Sequence, residues 1–215
     1  MISPHLPPAF HAGGQAVPFD RTAAIPQKLT DERETDQLQL ALAWHTPGRH
    51  AESRHALRML SMMLGESASS RLFLELREER GLCYQISSDV TFFDETGAFE
   101  ISAGLDPESR EEALACIYRE IDDLVTNGPR AGELDRAKRL TIAQSKLAFE
   151  STGSHAAWAG EGVLDFGHIP SPAEWRAEVM AVADADVQAI AREIFHDRQP
   201  AIAEIGEEQM SGVEC

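Results

Sequence analysis

From residue 36 to 45, in DQLQLALAWH, apolar and polar positions alternate, so Leu38, Leu40, Leu42 and Trp44 fall on one side. A period of two belongs to a strand with one buried face. The period then lengthens. In RHAESRHALRMLSMMLGE, Leu57, Leu60 and Leu64 recur at helical spacing, and Gly65 offers a stop. After the polar ESAS, the run SRLFLELREER predicts a second helix ending near Gly81. Two strand-like runs follow, YQISSDVTFF and GAFEISAGL, with DETG between them as a hairpin turn. In the second run Phe99, Ile101, Ala103 and Leu105 share a face.

The helical period returns at Asp106-Pro107, where aspartate suits an N-cap and proline the first helical position. Leu114, Ile117, Ile121 and Leu124 form the buried stripe of that helix. A long helical pattern runs from about 132 to 150, and a glycine-punctuated, weakly helical stretch continues to about 167. Ser171 and Glu174 predict a capping box, Asp184 an N-cap for ADVQAIAREIF, and PAIAEI a last short strand. Residues 1–34 are rich in proline and glycine and then polar, which predicts a linker or N-terminal arm; residues 35–215 read as one domain. Hairpin strands followed by packed helices predict an α+β fold, a two-layer sandwich with a mostly antiparallel sheet covered by helices.

A chain of 215 residues can build one sizeable core without staples. No apolar run approaches the length of a membrane-spanning helix. The formal charge of −17 argues against a nucleic-acid partner. It fits either simple solubility or a surface that attracts basic peptides. Cys83, Cys116 and Cys215 are odd in number and contain no CxxC, so no disulfide framework is expected. Cys83 reads as a small buried residue rather than a nucleophile. The N-terminus lacks a basic region followed by an apolar stretch. The expectation is a cytoplasmic protein, or a periplasmic one if these residues belong to a longer exported chain.

Eight histidines raise the question of a metal, and their only cluster is HAESRH, with His50, Glu52 and His55. A helical zinc pair sits at i and i+4, about 40° apart around the axis, whereas a spacing of five turns through about 140°. His50 and His55 therefore cannot share a metal from one regular helix, and solvated residues near a helix start are the expectation. HAGGQ near the N-terminus has no helix behind it to cradle a phosphate. LREERGLCY, residues 76–84, is more suggestive. Arg77 falls late on a helix, Gly81 permits a sharp exit, and Tyr84 opens the next strand. A forked cation and a phenol on one rim can hold a carbonyl or a developing oxyanion. Equally, Arg77 can pair with a neighbouring carboxylate while Tyr84 packs half-buried.

The stretch LGESASSRLFLELREERGLCYQISSDVTFFDETGAFEISAGLDPESREEAL closely resembles the second-half domain of the M16 zinc metallopeptidases, the pitrilysin-like and mitochondrial-processing-peptidase-like enzymes. The resemblance extends from about residue 35 to 205 and includes GELDRAKRLTIAQSKLAFEST and AVADADVQAIAREIF. It implies two homologous α+β halves closing like a clamshell around a chamber. The first half carries the zinc motif H-x-x-E-H and a further glutamate. The second supplies an arginine and a tyrosine, seven positions apart, near the scissile bond. Arg77 and Tyr84 match that pair in type and spacing. No H-x-x-E-H occurs in this chain, so no metal site is expected here. The implied function is the non-catalytic, substrate-binding half of a zinc-dependent metalloendopeptidase, inactive alone. Zinc and its ligands would sit in the partner half, with a peptide or protein as substrate and a homo-oligomer also open. The alternative is a structural or assembly subunit of the same family without peptidase activity.

Overall fold

A computed structural model of the chain describes residues 28–196 and 199–206. Five strands form one sheet in the order β1-β5-β2-β4-β3. They are β1 (Lys28–Glu32), β2 (Leu38–Pro47), β3 (Cys83–Phe92), β4 (Thr96–Leu105) and β5 (Ala201–Gly206). The pairs β2–β4, β3–β4 and β2–β5 are antiparallel, and only β1 runs parallel, against β5. The helices are α1 (Arg54–Leu64), α2 (Arg110–Asn127), α3 (Glu133–Ala148), α4 (Thr152–Phe166), α5 (Pro172–Ala181) and α6 (Asp184–Phe195), with a short π-helix at Phe73–Glu79. This is the mixed α+β layering that the alternating periods predict.

The sheet buries one face against the core. Leu38, Leu40, Leu42 and Trp44 of β2 are buried together with Phe99, Ile101, Ala103 and Leu105 of β4. Helix α6 seats Phe195 edge-on against Trp44 and Phe99, with ring centroids 5.0 and 5.3 Å away. Along the opposite face Gln39, Ser87, Thr91 and Glu100 are exposed, and the edge pair adds exposed Leu29 and Ile205 to an otherwise polar and small-residue lining. Burial follows the period of two because successive strand side chains point to opposite sides.

Several elements depart from the expectations. Lys28–Glu32, placed in the arm, forms an edge strand, all five residues of it exposed. It carries no apolar face to announce itself, and its backbone pairing with β5 alone makes it a strand. The rest of the arm, residues 1–27, lies outside the described residues, as do HAGGQ and Cys215. The weakly helical stretch is a full helix, α4, in which only Gly162 is buried. The cap of α6 is Asp186 rather than Asp184: its carboxylate accepts from the Ala183 amide at 2.8 Å, because the chain is still extended at Ala183. Of two further caps, Asp106 serves a short 3-10 turn at Pro107–Ser109 ahead of α2, and Ser171 makes only its own half of the capping box expected with Glu174. Asp106 accepts from the Glu108 amide at 3.0 Å, and the Ser171 hydroxyl accepts from the amides of Ala173 and Glu174. The helix before Gly81 is wider than the α-helix its spacing suggests. A separation of four, as between Leu72 and Leu76, lands on nearly one face in either form.

Candidate functional site

The exit from the π-helix carries both candidate side chains. Leu72 and Leu76 anchor the helix in the core, each fully buried. At its end Gly81 takes a left-handed φ of 65°, which costs a Cβ-free residue nothing, and the Leu82 amide donates to the Leu76 carbonyl at 2.8 Å. The chain thereby reverses sharply into β3. Arg77 is exposed in the last turn, and its guanidinium lies over the Phe73 ring, 5.1 Å from the centroid. Phe73 is itself packed on the core, so the stack gives Arg77 a direction.

Tyr84 is the extra residue of a β-bulge. Cys83 pairs with Leu105 and Gln85 with Gly104, leaving Tyr84 without a partner in the ladder. The alternation of β3 slips accordingly: Cys83 is buried, Tyr84 and Gln85 are both exposed, and Ile86 is buried again. A bulge re-aims one side chain without disturbing the register beyond it. Tyr84 is 57% exposed, and its hydroxyl has no hydrogen-bond partner among the described residues.

Among the described residues Arg77 pairs with no carboxylate, although acidic neighbours are close. One of those neighbours, Glu75, is engaged elsewhere: it accepts from Arg80 at 2.7 Å and also binds Arg119, and Arg80 reaches Glu112 at 2.9 Å. Tyr84 is not packed away. The fold also brings Arg77 alongside Cys83, the residue before Tyr84. Burial pushes the Cys83 thiol up, and the Arg77 charge works against that rise. The thiol stays protonated, which suits a packing residue.

Sequence reasoning missed Arg71, at the start of the same helix. Its side chain is buried and forks onto Glu133, with both contacts at 2.7 Å. It also donates to Asp123 at 2.9 Å and to the Gly128 carbonyl at 3.2 Å. The partners lie 52 to 62 positions away, so no local pattern distinguishes this arginine from an exposed one.

The histidine cluster does not fit a metal. His50 precedes α1 and stands edge-on to Phe166, and His55 Nε2 is 2.7 Å from Glu178, which also binds Arg54. Burial lowers the His55 pKa, with the Glu178 hydrogen bond opposing it. Among the described residues no three histidine, cysteine or acidic side chains converge on one point. His50 and His55 instead line a cleft of about 620 Å³ between the start of α1 and the pair α4 and α5. Its walls are tied by Arg49–Asp165 and by Arg54 and His55 on Glu178. Val90 and Phe92, near the far end of β3 from Tyr84, also line it.

Residues 7–141 match the peptidase M16 inactive domain. The chain belongs to the peptidase M16 family. An uncharacterized zinc protease of Streptomyces coelicolor is 32% identical over 174 residues, which is 81% of this chain and 38% of that relative. A conserved protein from Enterococcus faecalis superposes with a TM-score of 0.77 at 22% identity, covering 93% of this chain and 46% of the other. A peptidase M16 inactive domain from Pseudomonas fluorescens gives 0.72 at 23% identity, over 84% of this chain and 43% of the other. The chain thus spans less than half the length of each of these relatives. The fold and the family of the M16 inactive domain are those that the Arg77–Tyr84 region and its flanks resemble.

Proposed function

We propose that this M16 domain is the non-catalytic, substrate-binding half of a zinc-dependent metalloendopeptidase and lends Arg77 and Tyr84 to a partner half carrying H-x-x-E-H. One observation carries the reading: both side chains are exposed at a sharp, core-anchored exit, and among the described residues neither makes an ion pair or a side-chain hydrogen bond. An arginine among so many acidic residues ordinarily finds a carboxylate, and an exposed phenol beside a buried cysteine has no packing role. Donors held ready in this way suit a carbonyl oxygen on which negative charge grows as a peptide bond is attacked. The guanidinium offers charge and a fork, and the phenol offers one directed O–H.

The chemistry of attack belongs to the other half. Among the described residues the histidines do not form a ligand set, and the role proposed for this chain is to hold substrate and place donors. The polar, small-residue face of the sheet suits a hydrated chamber wall. The exposed Leu164, Ile169 and Leu147 offer apolar surface for contact with another chain or domain.

The test is reconstitution. The isolated chain should hydrolyse no internally quenched peptide, and mixing it with its catalytic half should produce hydrolysis that a chelator abolishes. Association without hydrolysis favours the alternative, a structural or assembly subunit. Hydrolysis by the chain alone overturns both.

A further inference from the structure

We propose that Arg71 is a positioning residue for Arg77 and Tyr84, fixing to the corner between α2 and α3 the π-helix that carries Arg77 and turns directly into the strand that carries Tyr84. The inference rests on the reading of Arg77 and Tyr84 as substrate-facing donors. Arg71 is 3% exposed and makes four hydrogen bonds, two to Glu133, one to Asp123 and one to the Gly128 carbonyl. Each acceptor is held independently. Glu133 opens α3 and also accepts from the Arg130 amide at 2.8 Å. Asp123 is bound by Arg130 and by Asn127. Gly128 ends α2 with a φ of 77°, and the carbonyls just before it, of Val125 and Thr126, accept from Gln188 of α6. Arg71 therefore plugs into a corner that three helices already define.

What hangs from that plug is the candidate site. Leu72 follows Arg71 into the core, Phe73 packs beside it, and Arg77 lies on the Phe73 ring. The other ties from this helix, Glu75 to Arg119 and Arg80 to Glu112, run between partly exposed side chains and hold little. A planar fork fixes orientation as well as distance, which an ammonium cannot do. The π form adds a reason for an anchor. It is a rare backbone, concentrated at functional positions, and needs surrounding contacts to persist.

Two measurements test the assignment. In Arg71→Lys the charge stays and the fork is lost. Amide hydrogen exchange across residues 73–84 should accelerate by about tenfold or more, while β2 and β4 keep their protection. In the complex with the catalytic half, kcat on a quenched peptide should fall about 10-fold to 100-fold with KM nearly unchanged. The triple variant Arg71→Lys/Arg77→Met/Tyr84→Phe should be no slower than Arg77→Met/Tyr84→Phe, because Arg71 acts only through those two donors. Multiplying losses, or unchanged exchange in 73–84, overturn the proposal. If Tyr84→Phe alone leaves kcat intact, the substrate-facing reading fails, and the exchange data still decide whether Arg71 holds the helix. Should Arg71→Lys not fold, Asp123→Ala removes one arm only and must give the same local exchange signature.

Discussion

At Tyr84 the backbone of β3 holds one residue too many for its ladder, and the phenol turns outward beside Gln85. Its neighbour Cys83 turns inward, under the influence of Arg77. That closeness can be tested without any enzyme activity. Burial keeps the thiol protonated, so Cys83 should alkylate slowly at neutral pH relative to a free cysteine, as read site by site with mass spectrometry. Arg77→Met removes the opposing charge and should push the thiol higher and slow the reaction further. Unchanged alkylation in Arg77→Met would place the guanidinium away from the Cys83–Tyr84 corner.

Among the elements, one buried carboxylate ties the parallel edge pair β1–β5 to the start of α2. Glu204 of β5 is bound by Arg110 at 2.9 Å and by Lys28 of β1 at 3.0 Å. Burial alone would raise its pKa; the hydrogen bonds from Arg110 and Lys28 outweigh that and hold it below the ordinary 4.5. Because the folded value lies under the unfolded one, the stabilisation is complete above about pH 4.5 and is lost as pH falls through the folded value. Glu204→Gln should cost about 2 kcal/mol at pH 7 and should flatten the acid limb of a stability–pH curve. An unaltered acid limb would assign that limb to other carboxylates. Helix α4 differs from α1 in the same terms. Eight of the eleven residues in α1 are buried, but α4 buries only Gly162. Amides of α4 should therefore exchange well before those of α1 in the isolated chain. Protection of α4 equal to α1 would mean that its outer face is already covered.

The periods of two and of helical spacing made β2, β4, α1 and α2 legible, because each buries one face against a single core. The same rule could not find β1, which buries no side chain, nor the π form, whose spacing of four serves either helix. At the site, Arg77 and Tyr84 stood out through their family spacing. The bulge left only a faint sign, the slip of alternation in CYQI. Arg71 left none, since its acceptors come from a corner that exists only after α2 and α3 pack.

For the whole molecule, the proposed function makes the outer face of the sheet one wall of a chamber completed by the catalytic half. The isolated chain should hold far less than one zinc after dialysis, as metal analysis would show; a tightly bound stoichiometric zinc would revive His50 and His55 as ligands. The claim that this half reaches into the partner's active site is tested most directly by kcat and KM of the reconstituted complex with Tyr84→Phe. That variant removes the hydroxyl and keeps the ring. A donor that acts on the developing oxyanion predicts a fall in kcat of about 10²–10³ with partner binding intact. A kcat within about twofold of wild type would contradict it and leave Tyr84 as surface.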